Sequence, residues 1–222
     1  KHYLQVGGTA MGTKLAPSYA NIFMSDFEDT HVYTFQHQAW WWKRYIDDIC
    51  MIWTLGRDKL DDFINHLNTC HSSIKFTATI SKTQVDFLDT TVKILDDNTI
   101  ITDLYQKPTD SHNYLHYTSC HPEHIKKSLP YSQFLHIKRI CTLDSDFQRH
   151  AMEIYHHFVK RGYPKQILDE ALAQTSARSR NSLLTPTISS TTAIMVLDTR
   201  CARSKFRDIN SEKTVLFLAK EM

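Results

Sequence analysis

The sequence predicts an α+β fold followed by an all-helical region, and three observations carry that prediction. Residues 40–53 form an aromatic and β-branched run broken only by Asp47-Asp48, which reads as a hairpin with its turn at the acids. Residues 74–105 alternate apolar and polar with the two-residue period of strands. After Pro108 the apolar spacing changes to that of helices. Three segments are therefore expected: 1–107 with an antiparallel sheet, 108–174 helical, and 175–222 as linker or disordered tail.

Taken in order, Gly7, Gly8 and Gly12 make a glycine-rich loop whose backbone can approach a ligand closely. Pro17 then suits the first turn of a helix, along which Leu15, Tyr19, Ile22, Phe23 and Phe27 recur at helical spacing. The loop is not a phosphate-binding P-loop, because Thr13 precedes Lys14 where that motif needs Lys first. Trp40, Trp41 and Trp42 alternate faces on the first hairpin strand, so at least one belongs to the core. A helix is expected from Asp58, as N-cap, to Cys70, with Leu60, Phe63, Ile64 and Leu67 on one stripe. Ile74, Phe76, Ala78 and Ile80 predict a strand buried on one face. Gln84–Leu95 and Thr99–Tyr105 predict a second hairpin turned by Asp96-Asp97-Asn98.

In the helical region, Pro122 opens a short helix expected to end before Pro130, and a second runs from Tyr131 to Cys141. A third spans Ser145–Arg161 with Gly162 as its C′ residue, and Pro164 starts a fourth reaching Ala173. The Gly162-Tyr163-Pro164 turn between helices also fits a helix-turn-helix. From Ser176 to Thr192 the chain is rich in Ser, Thr and Arg and has no apolar period, the basis for the tail assignment.

The 222 residues are 41% hydrophobic and 23% charged, a balance that excludes wholesale disorder. No apolar run approaches the roughly 20 residues of a membrane span, so no membrane partner is expected. Five scattered cysteines argue for free thiols and an intracellular setting, nuclear or cytoplasmic. A net charge of +2 means that any nucleic-acid partner must be met by local patches. The best such patch is Lys126, Lys127, Lys138 and Arg139, with His121, His124 and His136 interleaved. His112, His116, Cys120, His121 and His124 could also be read as a zinc cluster, but no second Cys pair supports it.

Four ordered motifs give this pattern a family. The stretch Gln5-Val6-Gly7-Gly8-Thr9-Ala10-Met11-Gly12-Thr13-Lys14-Leu15-Ala16-Pro17 resembles motif B of reverse transcriptases, most closely those of Penelope-like retroelements. Arg44-Tyr45-Ile46-Asp47-Asp48 resembles their motif C, the YxDD box, and Asp86-Phe87-Leu88-Asp89 resembles motif E. Lys107-Pro108-Thr109-Asp110 and Ser119-Cys120-His121-Pro122 look like signatures of the helical region that follows the palm. The resemblance covers about Tyr3 to Leu184.

That resemblance implies a partial palm over 1–107, a thumb over 108–174, and an RNA-directed DNA polymerase using two-metal phosphoryl transfer. Asp47 and Asp48 would hold Mg²⁺ or Mn²⁺, and Lys82, with Lys75 as the alternative, would protonate leaving pyrophosphate. Gln5, Gly8, Met11, Gly12 and Tyr45 would line the nucleotide and template pocket; Met11 stands where many relatives carry Gln. Phe87 and Leu88 would form the primer grip, and the basic patch would hold the backbone of an RNA template paired to a DNA primer. Deoxynucleotide triphosphates would be the substrates. The family's third carboxylate, in motif A, is not in this sequence, which reads as a piece lacking the upstream polymerase part. Independent catalysis is therefore not expected. The alternative is a non-catalytic nucleic-acid-binding remnant that uses the helical bundle.

Overall fold

The computed structural model describes residues 8, 10, 12–97 and 99–185, together with the backbone of 215–221. The elements are α1 (Ala16–Phe27), a π-helical turn (Glu28–Val32), β1 (Trp41–Tyr45), β2 (Asp48–Trp53), α2 (Arg57–Cys70) and β3 (Phe76–Ser81). They continue with β4 (Gln84–Phe87), β5 (Thr90–Ile94), β6 (Ile100–Leu104), α3 (Glu123–Ile140) and α4 (Asp144–Lys160). The last are α5 (Lys165–Ser176), α6 (Arg180–Leu184) and β7 (Val215–Glu221). They fall into two compact units, 1–87 with 210–222, and 88–209.

In the first unit the sheet order is β1-β2-β7-β3, with every neighbouring pair antiparallel. Cross-strand pairs share a face, so Trp42 opposite Met51 and Arg44 opposite Ile49 define the side turned to the helices. The core on that side gathers Met24, Phe27, Trp42, Met51, Trp53 and Phe63. Of the three tryptophans only Trp42 is fully buried, while Trp40 is exposed. The N-cap of α2 is Gly56, at φ 89, not Asp58. Asp58 lies in the first turn, where its charge complements the helix dipole instead of capping it.

In the second unit β5 and β6 pair antiparallel, and α3, α4 and α5 enclose a core of Phe134, Ile137, Phe147, Ile154, Phe158 and Leu168. The expected hairpin strand Gln84–Leu95 is broken at Leu88, which takes a left-handed φ of 57, so it becomes β4 and β5. The expected helix break at Pro130 does not occur, and α3 runs through it. The missing N–H leaves one carbonyl without its helical donor, and Pro130 is itself buried in the helical unit. Gly162 is left-handed (φ 80) at the end of α4, where a C′ glycine belongs.

The boundary between units falls at Phe87/Leu88, not at residue 107. Hydrogen bonds explain why the β5–β6 hairpin belongs with the helices. Thr102 Oγ1 donates to the Ile140 carbonyl at 2.6 Å, and Thr102 N donates to Thr142 Oγ1 at 2.9 Å. The tail assignment is corrected at both ends of 175–222. Ser179, part of the Ser-rich run, caps α6 by accepting from Ser182 N, and 215–221 is the strand between β2 and β3. Residues 186–214 lie outside the described residues. Among the described residues no helix is long and apolar enough to cross a membrane.

Candidate catalytic hairpin and nucleic-acid interface

The β1–β2 turn is a two-residue connection, with Tyr45 paired to Asp48. Ile46 and Asp47 therefore form the turn and Asp48 opens β2, whereas the sequence pattern had placed both acids in the turn. Ile46 carries φ 55. A left-handed φ at the first turn residue is normally left to Gly, and a β-branched residue there costs on the order of 1–3 kcal/mol. The fold holds it by a clamp on the helix-facing side of β1. Arg44 Nη1 donates to the Ile46 carbonyl at 3.1 Å and to Asn21 Oδ1 of α1 at 3.0 Å. Arg44 Nε donates to Glu28 Oε1 at 2.8 Å, and Trp42 Nε1 donates to the same oxygen at 2.8 Å. Glu28 is 8% exposed, so its charge is balanced by Arg44 in a nearly dry pocket.

Above that clamp Asp47 is exposed, Asp48 is half-buried and Tyr45 is 57% exposed. Neither carboxylate has a hydrogen-bond or ion-pair partner among the described residues. Asp48 stands opposite Lys220 of β7. Two adjacent carboxylates fit a hard divalent cation, and they leave most of its coordination to other ligands. Gly8 and Gly12 are exposed and left-handed, at φ 70 and 86. A Cβ at Gly12 would meet nothing within 4 Å, so the backbone angle, not close approach, requires glycine there. Gln5 and Met11 lie outside the described residues.

Lys82 is not brought to the tip. β2 and β3 both run antiparallel to β7, so they run the same way. Asp48 begins β2, whereas Lys82 follows the last residue of β3, at the opposite end of the sheet. Lys75 precedes β3 at the tip's end, but its Nζ donates to the Asn68 carbonyl at 2.5 Å. Phe87 is 6% exposed, a core residue, not a grip for a primer; Leu88 is half-buried in the turn after β4.

In the second unit the basic patch divides. Lys138 is only 12% exposed at its side chain, pairs with Asp144 at 2.5 Å and covers the Phe147 ring. Its charge is taken up by these intramolecular contacts. Lys126 donates to the Ser119 carbonyl and lies over Tyr117, and Lys127 makes an exposed pair with Glu123 at 3.1 Å. The exposed Lys127–Glu123 pair is weak and exchanges readily for a phosphate, whereas the Lys126 contact is half-buried. Arg139 is exposed with no ion pair among the described residues. The histidines expected as a zinc alternative are not gathered: His116 turns to Thr118, His121 to Ser119, and the His112 ring packs tilted against His157 at 4.3 Å.

Sequence reasoning missed a buried acid. Asp103, 5% exposed on β6, meets Lys93 at 2.8 Å, Arg149 at 3.2 Å and His150 at 2.9 Å. Burial by itself would raise its pKa, but the hydrogen bonds from Lys93 and His150 outweigh that and hold it at about 2. The alternation of β6 marked position 103 as inward, which was the available signal. Cys141 is 3.8 Å away, and burial pushes its thiol up to about 12. Two cations on Asp103 and a protonated thiol make this a structural ion cluster and a poor metal site.

Residues 113–172, which run from before α3 into α5, match the family model of the animal helix-turn-helix domain. The match is confined to the helical unit and covers its helix-Gly162-helix turn. No curated protein and no solved structure gives a significant match to the chain.

Proposed function

We propose that this chain is the palm-and-thumb portion of a retroelement reverse transcriptase, with Asp47 and Asp48 as two of its metal-binding carboxylates. One observation carries the reading: two adjacent acids, without a partner among the described residues, stand at a two-residue turn that is strained at Ile46 and clamped from below by Arg44. Strain held by a buried ion pair is typical of functional sites, not of ordinary surface turns. Mg²⁺ or Mn²⁺ bound there would neutralise charge at the transferred phosphorus. The chain's own contribution is to hold the two carboxylates rigidly, to place the exposed Tyr45 ring beside them, and to grip the primer–template through Lys126, Lys127 and Arg139. The substrates would be an RNA template, a DNA primer and deoxynucleotide triphosphates. Lys82 and Phe87 have no role in this reading.

The third carboxylate of the family is not in this sequence, so the chain alone should not extend a primer. The test is extension of oligo(dT) on poly(A) with Mg²⁺ or Mn²⁺, by this chain and by a version joined to a family upstream segment carrying motif A. Extension by the joined protein alone supports the reading. Extension by the bare chain would place the chemistry elsewhere.

A second reading, binding without catalysis, is favoured by the helix-turn-helix match over 113–172. With Lys138 withdrawn, about three phosphates are contacted, which predicts a log–log salt slope of about −2.5 on an RNA–DNA hybrid.

A further inference from the structure

A group of potential metal ligands of a different kind stands together in the first unit. His31 lies in the π-helical turn, and His66 and Cys70 lie one helical turn apart on α2. One ligand atom from each comes within 4.8 Å of the other two, and Cys70 Sγ is 3.5 Å from His66 Nε2. Zinc bonds of roughly 2.1 Å to nitrogen and 2.3 Å to sulfur give a tetrahedral edge of about 3.6 Å, so one edge of the site is already formed. All three residues are half-buried, dry enough to favour binding and open enough for an ion to enter.

The surroundings hold the ligands in place. The Phe35 ring stacks on His66 at 4.4 Å, and Phe27 packs 4.9 Å from His31. Both contacts restrict ring rotation, as a preorganised site requires. The π-helical turn is a second, independent sign. Helix α1 widens over Glu28–Val32, and such turns are rare and concentrate at functional positions. That turn brings the His31 ring to 6.3 Å from the His66 ring.

We propose that His31, His66 and Cys70 bind Zn²⁺, with a water molecule in the fourth position. Two imidazoles and a thiolate select a borderline-soft ion over Mg²⁺, so this site and the acidic tip take different metals. Without metal the Cys70 S–H donates to the His66 carbonyl at 3.1 Å. Binding replaces that S–H with a Zn–S bond and releases one proton to solvent, so affinity rises with pH. The site ties the π-helical turn to α2 and stabilises the first unit by mass action. The proposal is independent of the polymerase reading.

The test uses the full chain, stripped of metal by a chelator and titrated with Co²⁺ as a spectroscopic probe, then with Zn²⁺ in competition. One equivalent of Co²⁺ should produce a thiolate-to-cobalt charge-transfer band, and Zn²⁺ should erase it. Cys70→Ser should abolish the band. His31→Gln should weaken binding more than about 100-fold, beyond the range for loss of an outer-shell contact. Cys120→Ser, which removes an exposed thiol elsewhere, should leave the titration unchanged. No band in the wild type at excess Co²⁺, or a band surviving in Cys70→Ser, overturns the proposal. If Cys70→Ser does not fold by circular dichroism, the decision passes to His31→Gln, and wild-type affinity there overturns it equally.

Discussion

At the residue scale two buried acids set the behaviour of the two units. Glu28 is balanced by Arg44, and truncating one partner strands the other charge in a dry pocket. Arg44→Ala should therefore destabilise the first unit by about 3 kcal/mol, measured by urea unfolding, and should release the strained turn at Ile46. A change below about 0.5 kcal/mol would mean that the clamp is an ordinary surface pair. Asp103 makes a pH prediction. Its folded pKa of about 2 lies below the value near 4 of an unfolded aspartate. It therefore adds stability above pH 4, and that stability, on the order of 2 kcal/mol, is lost as pH falls from about 4 to 2. Asp103→Asn should be less stable at pH 7 and should lose that dependence. Thermal melts of both proteins across the window check it.

At the element scale, what was legible in the sequence followed from period and turn chemistry. The β1–β2 hairpin, α2, α4 and the Gly162 turn were all readable, because apolar spacing and a left-handed glycine mark them locally. What was not legible depended on tertiary contacts. Nothing local says that Pro130 is tolerated inside α3, that Ser179 caps a helix, or that 215–221 inserts between β2 and β3. The candidate site shows the same division. The hairpin with Asp47 in its turn was readable, while the place of Asp48 in β2, the engagement of Lys138 by Asp144 and Phe147, and the placing of Lys82 by strand direction were not. The same contacts yield a prediction for α4. Gly162 is at φ 80, and an added Cβ would meet His116 Cε1 at 3.5 Å and Tyr117 Cβ at 4.0 Å, both ordinary contacts. Gly162→Ala should thus cost about 1 kcal/mol, from the backbone angle and not from a clash. A loss of 3 kcal/mol or more by denaturant titration would point to packing instead.

At the scale of the whole molecule, one unit carries the acidic hairpin and the other carries the helices that match an animal helix-turn-helix domain. If the helical unit grips primer–template, reversing Lys126 and Lys127 to Glu should weaken hybrid binding similarly across sequences and flatten the salt slope by about 2, since each phosphate contact adds somewhat under one. Fluorescence anisotropy at several salt concentrations reads both effects, and an unchanged slope would remove these lysines from the interface. The proposed catalytic role of the β1–β2 hairpin is tested most directly by Asp47→Ala in the chain joined to an upstream segment carrying motif A. Asp47 is exposed and has no protein partner among the described residues, so its loss should leave the unfolding midpoint unchanged. Primer extension should fall by at least about 1,000-fold, as expected when a metal carboxylate is removed. Wild-type extension by the folded Asp47→Ala protein would contradict the assignment of the β1–β2 tip as the metal site.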